Sequence, residues 1–182
     1  MDSDPTLGLH SLATMARLLG RSQPLRDLLE MAAEGARLSL NAATVSISRY
    51  DIEDGALHTM INVGDLAASE ERWPVDETYP VTRWPELREV IEYGSTRTDR
   101  LDDPHCDPRE RELLTRLDKG SSVTAALIVD EKVWGEFYAT RQVTHPSFGD
   151  RSVDYVEVLV ALVGGAISRS LREADLLEQA NR

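Results

Sequence analysis

Four histidines, one cysteine and a scatter of paired carboxylates are the residues of this chain with chemistry to offer. His10, His58, His105 and His145 are spread along the sequence. None has the His-x-x-x-His spacing that lets two imidazoles share a metal ion, which argues against a zinc site. Cys106 is the lone cysteine, which excludes a disulfide framework and a cysteine-based zinc site and points to a reducing compartment. Asp102, Asp103 and Asp107 flank it, and their charges are expected to push the thiol pKa upward, the wrong direction for a nucleophile. No serine stands in a G-x-S-x-G context, and no G-x-x-x-x-G-K-[ST] loop is present to cradle phosphate. Glu70-Glu71, Asp102-Asp103 and Glu110-Arg111-Glu112 read as solvated surface or helix N-terminal charge. These residue types point away from catalysis.

Aromatic residues offer a different chemistry. Trp73, Tyr79, Arg83 and Trp84 cluster in the irregular stretch 64–106, where they would line a concave site with aromatic walls and one cation. The same residues also suit a plainer task, the tryptophans anchoring a long excursion to the core while Arg83 stays in water.

The elements that must position such a site follow from periodicity. Leu12, Met15, Ala16 and Leu19 recur at helical spacing, and after Pro24 so do Leu25, Leu28, Leu29, Ala32, Ala36 and Leu40. Residues 43–50 alternate as a strand, and Asp54-Gly55 turns the chain into its partner ALHTMINVG. Helices are expected over ELREVIEYG and PRERELLTRLDKG. Two further strands, SVTAALIV and KVWGEFYATR, meet at Asp130-Glu131-Lys132. In the second, Val133, Gly135, Phe137 and Ala139 should share one face, with Trp134, Glu136 and Tyr138 on the other. Gly135 reads as a notch for a helix packed across the sheet.

A long closing helix begins near Asp150. From Val156 to Val163 only Glu157 is polar, so this helix needs cover on more than one side. Tyr155, Leu159, Leu162 and Ala166 are expected on the sheet. The stripe Val156, Val160, Val163, Ile167, Leu171 and Ala174 would meet the N-terminal helix, through Leu12, Met15 and Leu19, or the same surface of a second subunit. On the second alternative, Glu at Val160 or Ile167 yields a monomer or an unfolded chain.

Totals bound the rest. The 182 residues suit one domain, and a hydrophobic fraction of 41% suits a real core. A formal net charge of -12 disfavours nucleic acid, a polyanion bound through Lys and Arg. MDSDPTLGLH has no basic n-region followed by an apolar core, so no signal peptide is expected, and no apolar run approaches the ~20 residues of a bilayer span. The expectation is a soluble cytoplasmic protein with no membrane contact.

The order helix, helix, strand, strand, mixed segment, helix, hairpin, long helix resembles a GAF domain. Three segments carry the resemblance: LLEMAAEGARLSLNAATVSISRYD, the hairpin with VWGEFYATR, and FGDRSVDYVEVLVALVGGAIS. It implies an α+β fold, an antiparallel sheet of five or six strands with terminal helices on one face and a pocket-forming segment on the other. It further implies a tail over 1–7, a GAF domain over 8–168 and a signalling-helix extension over 169–182. The role implied is sensory or regulatory, in a homodimer whose terminal helices pass a small-molecule or redox signal to an output domain such as a diguanylate cyclase, histidine kinase or serine phosphatase. A ligand-free dimerisation module is the alternative, and a divergent enzyme of the fold a third. Some GAF domains hold haem through a histidine, here His58 or His105, and others attach a bilin to a Cys-His pair. No motif supports a haem histidine, and this chain has His105-Cys106 in the reverse order without the surrounding phytochrome-like pattern, so neither cofactor is favoured and the ligand is left unknown. One cysteine also cannot supply the attacking and resolving thiols of a methionine-sulfoxide reductase of this fold.

Overall fold

A computed structural model describes the backbone of residues 5–182 and the side chains from Gly8 onward. Of the expected tail over 1–7, residues 1–4 lie outside the described residues, and the first helix begins at Pro5. Two helices, α1 (Pro5–Leu19) and α2 (Leu25–Ser39), lead into the hairpin β1 (Thr44–Asp51) and β2 (Ala56–Gly64). The middle segment holds β3 (Thr78–Pro80), a single 3-10 turn at Val81–Arg83, α3 (Pro85–Tyr93), β4 (Thr96–Arg100) and α4 (Pro108–Arg116). The hairpin β5 (Ser121–Val129) and β6 (Lys132–Arg141) follows, and α5 (Asp150–Ala180) closes the chain.

The six strands form one antiparallel sheet in the order β3-β2-β1-β6-β5-β4. Alternation divides it into two faces. Val45, Ile47, Ile61, Val63, Val123, Ala125, Leu127, Phe137 and Ala139 join α1, α2 and α5 in the main core. The opposite face carries Ser46, Ser48, Thr59, Thr124, Glu136 and Tyr138, which α3 and α4 cover. At one end of that face Leu57, Val81 and Ile91 form a small second core with Tyr79 and Val133.

Alternation fails at one place in β6. A bulge opposite Leu127 and Ile128 inserts an extra residue. Trp134 therefore packs with the helix-side core and Val133 with the small core on the other face, the reverse of the expected assignment. Gly135 also differs from expectation. A Cβ there would stand 2.0 Å from the Ser48 carbonyl oxygen of the neighbouring strand, so the close approach is strand to strand. The helix comes close elsewhere. A Cβ at Gly164 of α5 would lie 2.2 Å from the Ile128 carbonyl oxygen.

The β5–β6 turn is two residues, Asp130 and Glu131, both at positive φ (49° and 66°) as such a tight hairpin demands. Neither is glycine, and Asp130 has a compensating role. Its carboxylate accepts from Ser168 Oγ at 2.7 Å and Arg172 Nη2 at 2.6 Å, tying the hairpin to α5.

The two sides of α5 are the reverse of expectation. Val160, Gly164 and Ser168 face β5 and its turn. Tyr155 meets Ser11 at 3.1 Å, and the Arg169 guanidinium donates to the Leu19 carbonyl, so that side lies along α1. Met15, Leu19, Val156, Val160, Val163 and Ile167 are all buried within one chain, and Leu12 and Leu171 are half-buried. Only Ala174 of the stripe is exposed. The second cover that α5 requires is supplied by its own chain. Among the described residues no helix is long and apolar enough to cross a membrane.

Candidate functional site

Between the polar sheet face and α3 and α4 lies a cavity of about 60 Å³. Its floor is Ser46 and Ser48 of β1, Thr59 of β2, Thr124 of β5, and Glu136 and Tyr138 of β6. Tyr79, Trp84, Glu86 and Leu87 wall one side; Arg97 and Asp99 of β4 with Glu110, Leu113 and Leu117 wall the other; Glu70 and Glu77 come from the loop before β3. Six carboxylates thus share the wall with one arginine.

Local chemistry explains how each is held. Arg97 donates to both Asp99 oxygens at 2.8 and 2.9 Å and reaches Glu86 at 2.7 Å. Burial, then the Asp99 charge, push the Glu86 carboxyl up to about 7 against the pull of Arg97. Glu77 accepts from Asn62 Nδ2 at 2.8 Å, the Thr59 hydroxyl at 3.2 Å and the Tyr79 hydroxyl at 3.0 Å. Glu70 caps the Ala67 N–H at 2.7 Å. Glu110 accepts from Ser122 at 2.8 Å and Tyr138 at 2.7 Å; burial raises its carboxyl although both bonds oppose the shift.

Glu136 stands apart. It projects from the cavity face of β6, is 8% exposed, and among the described residues its side chain has neither hydrogen bond nor ion pair. Burial and then the Glu110 charge push its carboxyl up to about 8. A protonated, unpartnered acid therefore faces the cavity near neutral pH.

Of the residues singled out in the sequence, Tyr79 and Trp84 reach this cavity, their rings edge to face at 5.6 Å. Trp73 does not. It packs against the helix-side core, with the Arg26 guanidinium 4.0 Å over its ring, which is the anchoring task. Arg83 is exposed at the end of the 3-10 turn. His58 is outside too, paired with Asp54 at 2.6 Å. Asp51, Asp54 and His58 converge closely enough to share an ion, on the surface of the β1–β2 turn. No histidine lines the cavity among the described residues, and His105 is exposed. Cys106 is buried outside the cavity lining, and its thiol is pushed up to about 11. The direction is the expected one, but the cause is burial first, then Asp99 and Glu110.

Sequence reasoning passed over the acidic wall. Glu110 sits in a charged run that reads as surface, yet it is buried. Glu136 offered one sign, a carboxylate expected on the same strand face as Trp134 and Tyr138.

The fold has relatives among solved structures. A phycoerythrobilin-bound GAF domain from a cyanobacterial phytochrome matches with a TM-score of 0.75 and 15% identity, over 94% of this chain and 100% of that one. The chromophore-binding domain of a bacteriophytochrome from R. palustris matches with a TM-score of 0.75 and 12% identity, over 93% of this chain and 64% of that one. A GAF domain/HD domain protein from Geobacter sulfurreducens gives a TM-score of 0.66 at 15% identity, over 82% and 95% of the two chains. No curated protein matches. The GAF domain family model matches residues 24–167, more than half of the chain. With its terminal helices on one face of the sheet and a walled cavity on the other, the chain belongs to the GAF domain family.

Proposed function

We propose that this chain is a sensory or regulatory module, cytoplasmic and without catalytic activity of its own, that takes a small ligand into the cavity and transmits its presence through α5. The observation that carries the reading is the cavity itself, walled by four elements and floored by polar groups that an ordinary core would not retain. On this reading the GAF domain spans 8–168, and 169–182 extends α5 toward an output domain, linked or separate. A physical route exists. Glu136 and Tyr138 line the cavity on β6, the strand that leaves the Asp130 turn, and that turn is held by Ser168 and Arg172 of α5. A ligand that shifts β6 would thereby bias α5, provided it binds the two arrangements unequally.

A bilin, as in the cyanobacterial relative, does not suit these residues. Its carboxylate side chains would meet six acids and one arginine already engaged twice. The cavity is also well below the ~300 Å³ at which sites for larger organic ligands begin. Homodimerisation is a further part of the proposal, and the self-covered stripe on α5 moves it to outward apolar groups such as Val158, 48% exposed, with Leu176 and Leu177. The test is hydrogen–deuterium exchange of the intact chain with a ligand found by thermal-shift screening. Altered protection at the 129–132 turn and the second half of α5 is expected. Saturating ligand that leaves α5 unchanged would refute signalling through it.

A further inference from the structure

The geometry points to the chemical class of the ligand: we infer that the cavity binds a small organic cation bearing N–H donors, a protonated amine or guanidinium, whose charge rests on Glu136. The inference builds on the ligand-sensing reading above and deepens it.

Glu70, Glu77, Glu86, Asp99 and Glu110 each accept at least one hydrogen bond or ion pair from the protein. Glu136 accepts none, although it is more than nine-tenths buried and lines the cavity; the Trp84 indole N–H, also on the lining, is a buried donor without an acceptor. Buried polar groups are nearly always satisfied, so an acid left without a donor marks a place where a donor is missing. The wall fixes the sign of the missing group. An anion would add charge to a wall whose acids outnumber its single arginine even with Glu136 protonated, whereas a cation relieves them. The net charge of -12 favours cations at longer range as well.

The kind of cation follows from geometry. A divalent metal wants several oxygens converging on one point. Among the described residues the one group of three acids and histidines close enough for that is Asp51, Asp54 and His58, outside the cavity. The cavity acids stand apart, which suits directional N–H donors reaching separate acceptors. Tyr79 supplies aromatic surface for the charge, while the Trp84 ring already has the Arg109 guanidinium 6.0 Å from its centroid. A volume of about 60 Å³ favours a small ligand.

Binding is coupled to a proton. Glu136 holds its proton up to about 8 through burial and the Glu110 charge. The groups around it are Glu110 of α4, Tyr138 beside it on β6, Arg97 and Asp99 of β4, Glu86 of α3, Tyr79 of β3, and Glu77 and Glu70 of the preceding loop, with Lys119 and Arg116 acting on Glu70. When the cation arrives, the Glu136 proton leaves to solvent and the carboxylate takes its N–H groups. Affinity therefore climbs as pH rises toward 8 and levels above it.

Isothermal titration calorimetry of the full chain with methylguanidinium and ethylammonium tests this. Neutral N-methylurea, acetate and magnesium chloride serve as comparison probes. A 1:1 association with at least one cation is expected, strengthening about tenfold per pH unit between pH 6 and 8. Glu136→Gln should lose at least tenfold in affinity while circular dichroism stays native, and His58→Ala, outside the cavity, should bind as the parent does. Equal binding of N-methylurea or acetate, binding of magnesium alone, cation binding indifferent to Glu136→Gln, or no heat with either cation would each overturn the inference. A neutral or anionic ligand that alters α5 exchange would leave the sensory reading intact. Cation binding with a silent α5 would do the reverse.

Discussion

Glu136→Gln should make this protein more stable, and increasingly so as the solution becomes more alkaline. The folded chain holds the Glu136 proton up to about 8, against an ordinary value of 4.5 for the unfolded chain. Its folded pKa is raised, so no difference exists below about pH 4.5, where both states are protonated. Between 4.5 and 8 the unfolded state gives up the proton and the folded state keeps it, so stability falls as pH rises through that window. At 1.36 kcal/mol per pH unit the full window is worth about 5 kcal/mol. The side chain is 8% exposed, so solvent screening takes little from this figure. Glutamine has nearly the same shape and never ionises, so it removes the loss. For a chain of this size the gain at pH 8 corresponds to roughly 10–20 °C in Tm. The assay is thermal unfolding of parent and variant at half-unit steps from pH 4.5 to 8.5, read as the difference between the two. That subtraction removes the parallel titration of Glu86, whose carboxyl is also raised, whereas Glu110 acts on Glu136 and belongs to the window itself. A difference that stays flat across the range, or that grows toward acid, would refute the placement of Glu136 as a buried acid without a partner.

Other predictions concern the helix layer and the hairpin. Ile167 is fully buried within one chain, so Ile167→Glu is expected to unfold the protein; a folded monomer by light scattering and circular dichroism would contradict this. Gly164→Ala improves intrinsic helix propensity by about 1 kcal/mol. Its Cβ would nonetheless meet the Ile128 carbonyl oxygen at 2.2 Å, so a net loss of ~1–2 kcal/mol in denaturant unfolding is expected, and a gain would contradict the close approach. Glu131 adopts φ 66°, and Glu131→Gly should gain ~0.5–1 kcal/mol by relieving the left-handed backbone; an unchanged or lowered midpoint would argue against that turn.

The parts of the fold legible in the sequence are those where apolar periodicity is long. Both hairpins, α2 and α5 declare themselves through runs of Val, Ile, Leu and Ala at spacings of two or three to four. The short edge strand β4 does not, because TRTDR contains no aliphatic residue and its buried member, Asp99, is held by Arg97 rather than by packing. The three residues of β3 are too few to show any period. Bulges are equally silent. The extra residue near Trp134 exchanges the faces of Trp134 and Val133 without any local sign. The nearly all-apolar run of α5 shows that two sides need cover but not which neighbour takes which side, a matter of tertiary packing.

The candidate site was legible only at its aromatic edge. Tyr79 and Trp84 were found by residue type, and the same reasoning brought in Trp73, which lies on the opposite face under Arg26. Residue type predicts burial better than it predicts the side of a sheet. The acidic wall was hidden because carboxylates in charged runs normally face water. Glu110 becomes buried when α4 folds onto the sheet and brings it to Ser122 and Tyr138, partners 12 and 28 residues away.

The central claim is that Glu136 stays neutral in the free protein and becomes charged when a cation enters. Carbon-13 NMR of the Glu136 side-chain carboxyl, assigned by its loss in Glu136→Gln, reads that charge directly. At pH 7 the free protein should show a protonated carboxyl, with a midpoint near 8, and saturating methylguanidinium should convert it to carboxylate at the same pH. A resonance already ionised in the free protein at pH 7, or one untouched by the bound cation, would contradict the account.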